Sequence, residues 1–253
     1  MKYRLITAST RTIIHTIFRD FWRRIMVKYG IDVSEWQSDI DWSAVTADFA
    51  IIRAGYGKEL SQEDKKFQRN YEGCKDNNIP CGAYWYSYAT TVEEAVKEAE
   101  TCLKVIAGKR FEYPIYLDIE EQRTLSLGKA AVSAIIRAFL DKVESAGYWV
   151  GLYMSASPLS AYVSESVRNR YAVWVAHYGV SKPSYSGSYG MWQKSSTGSV
   201  PGISGNADLD ECYVDYPKLI KESGCNGYAP EPSAKTVRLT IDGTTWEGEL
   251  HKV

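Results

Sequence analysis

From residue 29 onward, short apolar runs typical of β-strands alternate with amphipathic helical patterns, and this alternation constrains the fold more than any other feature. Strands are predicted at 29–34, 49–55, 81–88, 113–120, 149–155, 172–178, 190–195 and 208–213. Helices are predicted at 41–47, 63–78, 92–107 and 127–146, with a short one after Ser157. Such an alternation is typical of parallel strands joined by crossover helices.

Helices are predicted only in the first part of the barrel: each of the first five predicted strands is followed by a helix, and the last three are not. The segments between the sixth, seventh and eighth strands are short and rich in Gly and Ser, as at 181–188. They are too short for a crossover helix, so these strands are expected to pair as hairpins or a meander. The predicted fold is α/β, a modified TIM-like barrel with five β/α units, three further strands and a helix-poor final side. Such an open side suits a long polymer.

Composition narrows the class of protein. A chain of 253 residues with 45% apolar content suits one main domain. Its 30 basic and 31 acidic residues nearly cancel, so no net charge draws the protein toward nucleic acid or anionic lipid. We expect no nucleic-acid partner and no stable membrane insertion, and we predict a monomer. The five Cys lack CxxC pairs and there are only three His, which argues against a disulfide framework, a zinc site or a histidine triad. No metal or cofactor is predicted, and the cysteines are read as free thiols.

Two segments flank the predicted barrel, which is expected to span 29–224. Residues 1–28 mix basic and apolar residues and lack the unbroken apolar run and cleavage site of a secretion signal. A basic amphipathic helix on a membrane or wall is a second interpretation, and a dispensable extension before a start at Met26 is preferred. Residues 225–235 read as a linker, and 236–253 as a β-hairpin around Asp242 and Gly243. Whether this hairpin docks on the barrel, belongs to a wall-binding module or is loosely ordered stays open.

Two acidic residues in the fourth predicted strand carry the functional argument. Asp118 and Glu120 are two residues apart, so in a strand they point to one side. The apolar Leu117 and Ile119 favour the helix layer, which turns both acids toward the barrel axis near the strand's C-terminal end, where barrel enzymes place their chemistry. Repulsion between two such carboxylates raises the pKa of at least one. A proton-donating acid beside a second carboxylate is what glycoside hydrolysis needs.

Two further acids are predicted at the same mouth. Asp32 ends the first strand and Asp208 opens the last, and closure of a barrel makes these strands neighbours. Four acids around one opening are more specific than any one of them. The structural alternative is that Asp32 and Asp208 cap turns, as Asp commonly does at the start of loops.

Together these segments resemble the glycoside hydrolase family 25 lysozymes, the Chalaropsis-type muramidases of phages and bacteria. The resemblance covers residues 29 to about 216. Two departures stand out, since many relatives carry His where Trp85 stands and Asn where Asp210 stands. The matching pieces are GIDVSEWQ at 30–37, IRAGYG at 52–57, GAYWYS at 82–87, DIE at 118–120, VWVAHYG at 173–179, WQ at 192–193 and DLD at 208–210.

The resemblance implies hydrolysis of the β-1,4 bond between N-acetylmuramic acid and N-acetylglucosamine in peptidoglycan. It implies Glu120 as the general acid and Asp118 as the group that stabilises the positive charge developing at the sugar, with Asp32 and Asp208 completing an acidic floor. A carboxylate nucleophile, an activated water and the substrate's own acetamido oxygen all remain possible, and we favour substrate assistance with Asp118 orienting the acetamido group.

The aromatic and polar residues near the strand ends are candidates for binding the glycan. Tyr84 stands where the family's active-site tyrosine is expected, and Tyr86 shares its strand face, although filling the barrel is an equal alternative for Tyr86. The other candidates are Tyr56, Tyr153, Trp174, His177 and Gln193. We expect a phage-endolysin-like protein that is made in the cytoplasm, reaches the wall with the help of a holin and acts there. The rival functions are a metal-dependent hydrolase that uses the acidic cluster and a non-catalytic barrel that binds peptidoglycan.

Overall fold

Eight strands form a closed barrel in chain order, which confirms the predicted α/β barrel. The computed structural model describes residues 27–229, 235–241 and 244–250. The barrel strands are β1 Lys28–Val33, β2 Phe49–Tyr56, β3 Cys81–Tyr86, β4 Ile115–Asp118, β5 Val150–Ser155, β6 Ala172–Ala176, β7 Met191–Gly198 and β8 Ala207–Cys212.

The last three strands depart in part from the expected hairpins. β7 and β8 pair antiparallel, as predicted, and β8 closes the barrel antiparallel to β1. The expectation was wrong for β6 and β7, which pair in parallel. Residues 177–190 lead the chain back to the end of the barrel at which β6 begins, and they contain no helix. A parallel connection therefore requires only a segment long enough to span the barrel. The C-terminal ends of β1 to β7 and the start of β8 therefore meet at one mouth.

Seven α-helices lie in the described residues; the first, second, fourth and fifth correspond to predicted helices, and the other three were not predicted. They are α1 Phe67–Asp76, α2 Val92–Ile106, α3 Gln122–Leu125, α4 Lys129–Ser145, α5 Ala156–Tyr162, α6 Glu165–Arg168 and α7 Tyr216–Ser223. The helix predicted at 41–47 is wrong, because this segment forms only turns. Asp41 Oδ1 accepts hydrogen bonds from the backbone and hydroxyl of Ser43, a local alternative to the helix, while Trp42 is buried in the core.

Helix α7 was missed by the sequence prediction although its capping signals are present. Asp215 accepts a hydrogen bond from the backbone of Lys218 at the N-terminus, and Pro217 lies in the first turn. Gly224 ends the helix in the left-handed conformation, with φ of 69°. Tyr216 and Ile220 of this helix are buried. The helix brings the residues that follow it onto the barrel.

Residues 225–228, placed in the predicted linker, pack on the end of the barrel opposite the mouth. Asn226 is fully buried there. Its Nδ2 donates to the carbonyl oxygens of Phe111 and Tyr113, at 3.1 and 2.8 Å, and its Oδ1 accepts from the backbone N–H of Trp149 at 2.7 Å. One side chain thus satisfies three buried backbone groups that precede β4 and β5.

We expect Asn226→Ala to lower the free energy of unfolding by about 2–4 kcal/mol, because three buried backbone groups lose their partner. Urea unfolding followed by circular dichroism measures the change. The matched control is Asn206→Ala, an exposed asparagine in a loop, for which a change below about 0.5 kcal/mol is expected. Equal effects of the two substitutions would show that Asn226 does not hold the two segments together.

Aromatic side chains fill the barrel interior on the side away from the mouth. This filling limits how deep the mouth is. A buried cluster separate from the strand–helix core contains Phe49, Tyr113, Tyr116 and Trp174. Tyr116 fits inside because Gly151 on β5 has no side chain: a Cβ there would lie 2.4 Å from the Tyr116 ring. Above this aromatic layer the inward positions become polar. The functional side chains therefore lie on top of a solid floor.

The N-terminal flanking segment lies almost wholly outside the described residues, whereas most of the predicted C-terminal hairpin is described. Of residues 1–28 only the last two are described, and Lys28 is the first residue of β1. At the other end, β9 Lys235–Ile241 and β10 Thr244–Leu250 pair antiparallel in a two-stranded sheet of their own, and the predicted turn residues Asp242 and Gly243 fall outside the described residues. Within the described ranges, no helix combines the length and apolar character needed to cross a membrane.

Candidate active site

A cavity of about 250 Å³ opens at the mouth where the C-terminal ends of β1 to β6 meet β7 and the start of β8. It brings together all four acids singled out in the sequence. Its lining residues are Asp32, Arg53, Tyr84, Tyr86, Asp118, Glu120, Tyr153, Trp174, Tyr178, Gln193 and Asp208.

Asp118 and Glu120 lie on the same side, although the strand is shorter than predicted. β4 begins at Ile115 and ends at Asp118, so Glu120 lies two residues beyond the strand rather than at its end. The alternation persists through the first loop residue: Ile119 is buried in the strand–helix core, and its backbone N–H donates to the Tyr153 carbonyl at 3.4 Å. Both acids consequently line the cavity, Asp118 in its wall and Glu120 at its rim.

Asp118 is a buried carboxyl, only 4% exposed. Within the described residues, no group hydrogen-bonds to its Oδ1. Burial is the largest cause that raises the pKa of Asp118 well above its usual range, and Glu120 raises it further, while Arg53 lowers it. A buried carboxyl oxygen without a protein partner is costly, so this atom is suited to accept a hydrogen bond from a ligand.

Glu120 has the environment of a proton donor. Part of the side chain reaches solvent at the rim, yet removal from water by the cavity walls is the largest cause that raises its pKa. Asp208 and Glu121 raise the pKa further, while the polar Tyr153 hydroxyl nearby lowers it. The carboxyl group therefore stays protonated to a higher pH than a free glutamate does.

Arg53 supplies the positive charge of the cavity, and the sequence reasoning missed it. Its Nε donates to Asp64 Oδ2 at 2.7 Å and its Nη2 donates to Glu35 Oε1 at 3.0 Å. The backbone N–H of Glu35 also donates to Asp64, at 3.0 Å, so the guanidinium is fixed from two sides. A charged residue inside the otherwise apolar strand β2 was the signal that could have identified it.

A glutamine connects the acidic floor to two tyrosines. Gln193 Nε2 donates to Asp32 Oδ2 at 2.6 Å, which fixes the orientation of the amide. Its Oε1 accepts hydrogen bonds from the hydroxyls of Tyr153 and Tyr178, at 2.6 and 2.5 Å. Tyr178 was not predicted; it lies two residues past β6 and in phase with the inward-facing Trp174, and this alternation was the signal that could have identified it. Through these contacts β1, β5 and β7 share one polar network at the base of the cavity.

Two residues predicted to contact the glycan, His177 and Trp174, make mainly internal contacts instead. His177 does not line the cavity; its Nδ1 contacts the Ser184 backbone N–H at 3.1 Å, and its carbonyl accepts from Trp192 Nε1 at 2.9 Å, so it anchors the loop that follows β6. Trp174 reaches the cavity but is almost fully buried, with its ring packed edge-on against Tyr84 and Tyr153. It serves mainly as the cavity floor.

An aromatic pocket of about 370 Å³ adjoins the acidic cavity and shares Arg53 and Tyr86 with it. Tyr56, a predicted contact residue, lies here rather than among the acids. Trp36 is 78% exposed on the short turn Glu35–Gln37 that follows β1, and sequence reasoning missed it. We call this surface the aromatic pocket; its lining residues are Glu35, Trp36, Arg53, Tyr56, Tyr86 and Tyr88.

Chemistry rather than size distinguishes the acidic cavity from other openings. A larger cavity of about 490 Å³ lies at the opposite end of the barrel, at the starts of β5 and β6. Its only carboxyl group is that of Glu144, which forms an ion pair with Arg170. In the parts of the chain that the structure describes, no group of three or more His, Cys, Asp or Glu side chains is arranged to hold a metal ion.

Comparison with known proteins agrees with the geometry of the fold. The autolytic lysozyme of Clostridium acetobutylicum is 32% identical over 185 residues, which are 72% of this chain and 55% of that protein. The CTP1L endolysin structure superposes with a TM-score of 0.68 at 28% identity, covering 77% of this chain and 69% of the other. The modular autolysin LytC of Streptococcus pneumoniae, solved with a synthetic peptidoglycan ligand, gives a TM-score of 0.63 at 28% identity, covering 73% of this chain and 46% of the other.

The family assignment rests on the larger part of the barrel. Residues 31–203 match the family described as "Glycosyl hydrolases family 25". The match runs from β1 to the loop before β8 and includes Asp32, Asp118 and Glu120. The chain spans about half the length of the clostridial lysozyme, so what is shared is the barrel. The chain belongs to family 25 of the glycosyl hydrolases.

Proposed function

We propose that this protein is a peptidoglycan N-acetylmuramidase, which hydrolyses the β-1,4 bond between N-acetylmuramic acid and N-acetylglucosamine. The observation that carries the proposal is the pair of carboxyls in one open cavity, Asp118 buried in the wall and Glu120 at the rim. Two carboxyls with different environments can take different roles at one pH. The family membership and the peptidoglycan ligand seen on the LytC autolysin support the same substrate.

Glu120 acts as the general acid. It donates its proton to the glycosidic oxygen as the bond to the anomeric carbon breaks, so the leaving sugar departs as a neutral alcohol. The raised pKa of Glu120 supports this role because the carboxyl must be protonated when the substrate binds.

Asp118 orients the substrate's acetamido group. The acetamido oxygen attacks the anomeric carbon, and the Asp118 carboxylate accepts a hydrogen bond from the acetamido N–H and balances the positive charge of the cyclic intermediate. Water then attacks the anomeric carbon, the bond between this carbon and the acetamido oxygen breaks, and the water gives a proton to the Glu120 carboxylate, which restores the starting acid. The buried Oδ1, to which no described residue donates, supports this assignment. Asp32 and Asp208 add negative charge on the floor beneath the reacting sugar.

The aromatic pocket extends the binding site beyond the bond that is cut. Trp36, Tyr56 and Tyr88 present rings on which the apolar faces of sugars stack. Tyr84, Tyr86, Tyr153 and Gln193 then contact the sugars next to the acids. Because the pocket shares Arg53 with the acidic cavity, one glycan strand passes over both.

We expect Trp36→Ala to raise KM for polymeric peptidoglycan by about five- to thirtyfold, the loss of about 1–2 kcal/mol of stacking, with kcat changed less than about threefold. The reason is that Trp36 binds a sugar remote from the reacting atoms. Turbidity assays on purified cell walls measure both constants. The control is Leu127→Ala, another exposed apolar side chain, for which both constants stay at the wild-type values. An unchanged KM for Trp36→Ala would remove the aromatic pocket from the substrate path.

The cell wall is the proposed place of action. The protein is made in the cytoplasm, is released through the membrane with the help of a holin, and works as a monomer on the glycan strands. Similarity to the CTP1L endolysin and to autolytic lysozymes supports action on the wall.

Mass spectrometry of digested peptidoglycan tests the proposed function. A muramidase leaves N-acetylmuramic acid at the new reducing end, so borohydride reduction labels that sugar. N-acetylglucosamine at the reducing end, or release of stem peptides without new reducing ends, would contradict the proposal. Activity in the presence of EDTA is expected to equal that without it; its loss would favour the metal-dependent alternative.

A further inference from the structure

Beneath the acidic cavity lies a second pair of acids, formed by Asp32 and Asp210. The antiparallel register of β1 and β8 pairs Asp32 with Asp208 and Gly30 with Asp210, so Asp210 lies one inward-facing position deeper than Asp208. Asp32 lines the cavity, whereas Asp210 does not and is only 1% exposed. Asp210 is thus one layer removed from a substrate.

Each carboxyl of the pair is held by a donor on a different strand. Asp32 Oδ2 accepts from Gln193 Nε2 at 2.6 Å, and Asp210 Oδ1 accepts from Trp174 Nε1 at 2.8 Å. The other oxygen of Asp210, Oδ2, is buried and accepts a hydrogen bond from no N–H or O–H group of the described residues. The register of β1 and β8 places the Asp32 carboxyl next to it on the inward face, where the two carboxyls can share a hydrogen bond. Carboxylates are acceptors only, so a hydrogen bond between two of them requires a proton on one.

The surroundings of the pair favour retention of that proton. The titratable groups that act on the pair are acids: Asp208, Tyr84 on β3, Tyr153 on β5, Tyr178 after β6 and Cys212 on β8. The cation Arg53 on β2 lines the same cavity, but its guanidinium is paired with Asp64 and Glu35. Among the described residues, no Lys, Arg or His forms an ion pair with either carboxyl. Burial is the largest cause that raises the pKa of both carboxyls, and the nearby Asp208 raises each further.

We propose that Asp210 is a positioning residue: the proton that it shares with Asp32 holds the Asp32 carboxyl on Gln193, and thereby fixes Tyr153 and Tyr178 at the floor of the cavity. The inference rests on the muramidase function proposed above. Loss of the shared proton leaves two buried anions beside Asp208. Their repulsion turns Asp32 away from Gln193, so the cavity loses its ordered floor as the pH rises.

The substitution Asp210→Asn distinguishes the effect of the titrating proton from the effect of the hydrogen bonds. The amide of the new residue donates to Asp32 and its oxygen accepts from Trp174, so the contacts are kept without a titrating group. We expect kcat/KM on peptidoglycan within about threefold of wild type at pH 5–6. The ratio of variant to wild-type kcat/KM is then expected to rise with pH, by up to about tenfold per pH unit above the pair's second ionisation. Any effect of Glu120 titration cancels in this ratio.

Thermal unfolding against pH provides a readout that does not depend on activity. The folded-state pKa of the pair is raised above the unfolded value, so its contribution to stability is complete below about pH 4 and is lost as the pH rises through the folded pKa. The Tm of Asp210→Asn relative to wild type is therefore expected to increase from pH 4 to pH 8. The control is Asp76→Asn, an exposed aspartate on α1, for which both the activity ratio and the Tm difference stay flat.

Three results would overturn the role of Asp210: an activity ratio that does not change with pH, a Tm difference that does not change with pH, or a variant that is inactive or unfolded at every pH. The two proposals fail in different ways. If the wild-type protein releases no muropeptides, the muramidase function is wrong, while the Tm curves still decide whether Asp32 and Asp210 share a proton.

Discussion

Glu120→Gln is expected to abolish lysis of cell walls, with a loss of at least about 10³-fold in kcat, while the fold is unchanged. The amide has nearly the same shape as the acid but has no proton to give to the glycosidic oxygen. The side chain lies at the cavity rim and makes no ion pair in the described structure, so its replacement leaves the packing intact. Muropeptide release by purified protein measures the rate, and circular dichroism confirms the fold.

The neighbouring Glu121→Gln provides the matched control for Glu120→Gln. Glu121 does not line the cavity and accepts a hydrogen bond from the Tyr86 hydroxyl at 3.0 Å, which a glutamine oxygen can accept as well. We expect activity within about threefold of wild type for this variant. Full residual activity of Glu120→Gln would refute the assignment of the general acid.

The pH dependence of wild-type activity follows from the same two carboxyls. The proposed mechanism needs Glu120 protonated, so activity falls as the pH rises through its pKa, which burial raises. It also needs Asp118 ionised, so activity falls on the acid side as the pH drops through the pKa of Asp118, likewise raised by burial. The expected profile of kcat/KM is a bell, and Glu120→Gln loses its alkaline limb.

Asp118→Asn is expected to lower kcat by about 10²-fold or more. The amide cannot balance the positive charge that develops when the acetamido oxygen attacks, and that charge is largest in the transition state. Steady-state kinetics on a soluble glycan oligomer measures the loss. Asp76→Asn, on the outer surface of α1, serves as the control and is expected to match wild type. A loss below tenfold would remove Asp118 from the mechanism.

The expected binding of a cyclic-intermediate analogue separates substrate assistance from a carboxylate nucleophile. A thiazoline derivative of N-acetylglucosamine mimics the product of acetamido attack and presents a ring nitrogen to Asp118. The proposed mechanism predicts at least tenfold weaker inhibition of Asp118→Asn than of wild type. Equal inhibition of both proteins would favour direct attack by a carboxylate or by water.

The sequence predicted the barrel because hydrophobic alternation is a local property of each strand. It failed where a long-range contact decides the outcome. The segment around Trp42 has a helical pattern, yet burial of its tryptophan and the Asp41–Ser43 turn hold it as a loop. The parallel pairing of β6 with β7 depends on where residues 177–190 run, which no local pattern specifies. Helix α7 was not predicted, although its capping residues are a local signal in the sequence.

The same distinction explains which site residues were predictable. Asp32, Asp118 and Asp208 lie on barrel strands, where position along the chain determines direction, and all three reach the cavity. His177 is out of phase with Trp174 and Tyr178, which line the cavity. Alternation therefore turns the His177 ring away from the cavity, toward Ser184. Trp36 becomes part of the binding surface only because a short turn after β1 leaves its ring exposed.

A crystal structure of Glu120→Gln with a bound peptidoglycan tetrasaccharide tests whether Glu120 and Asp118 act on the bond that is cut. We expect the scissile glycosidic oxygen within about 3 Å of the residue 120 side chain and the acetamido N–H on Asp118 Oδ1. We also expect a further sugar ring stacked on Trp36. A glycan bound away from the acidic cavity, or with its acetamido group turned from Asp118, would show that these two carboxyls do not carry out the hydrolysis.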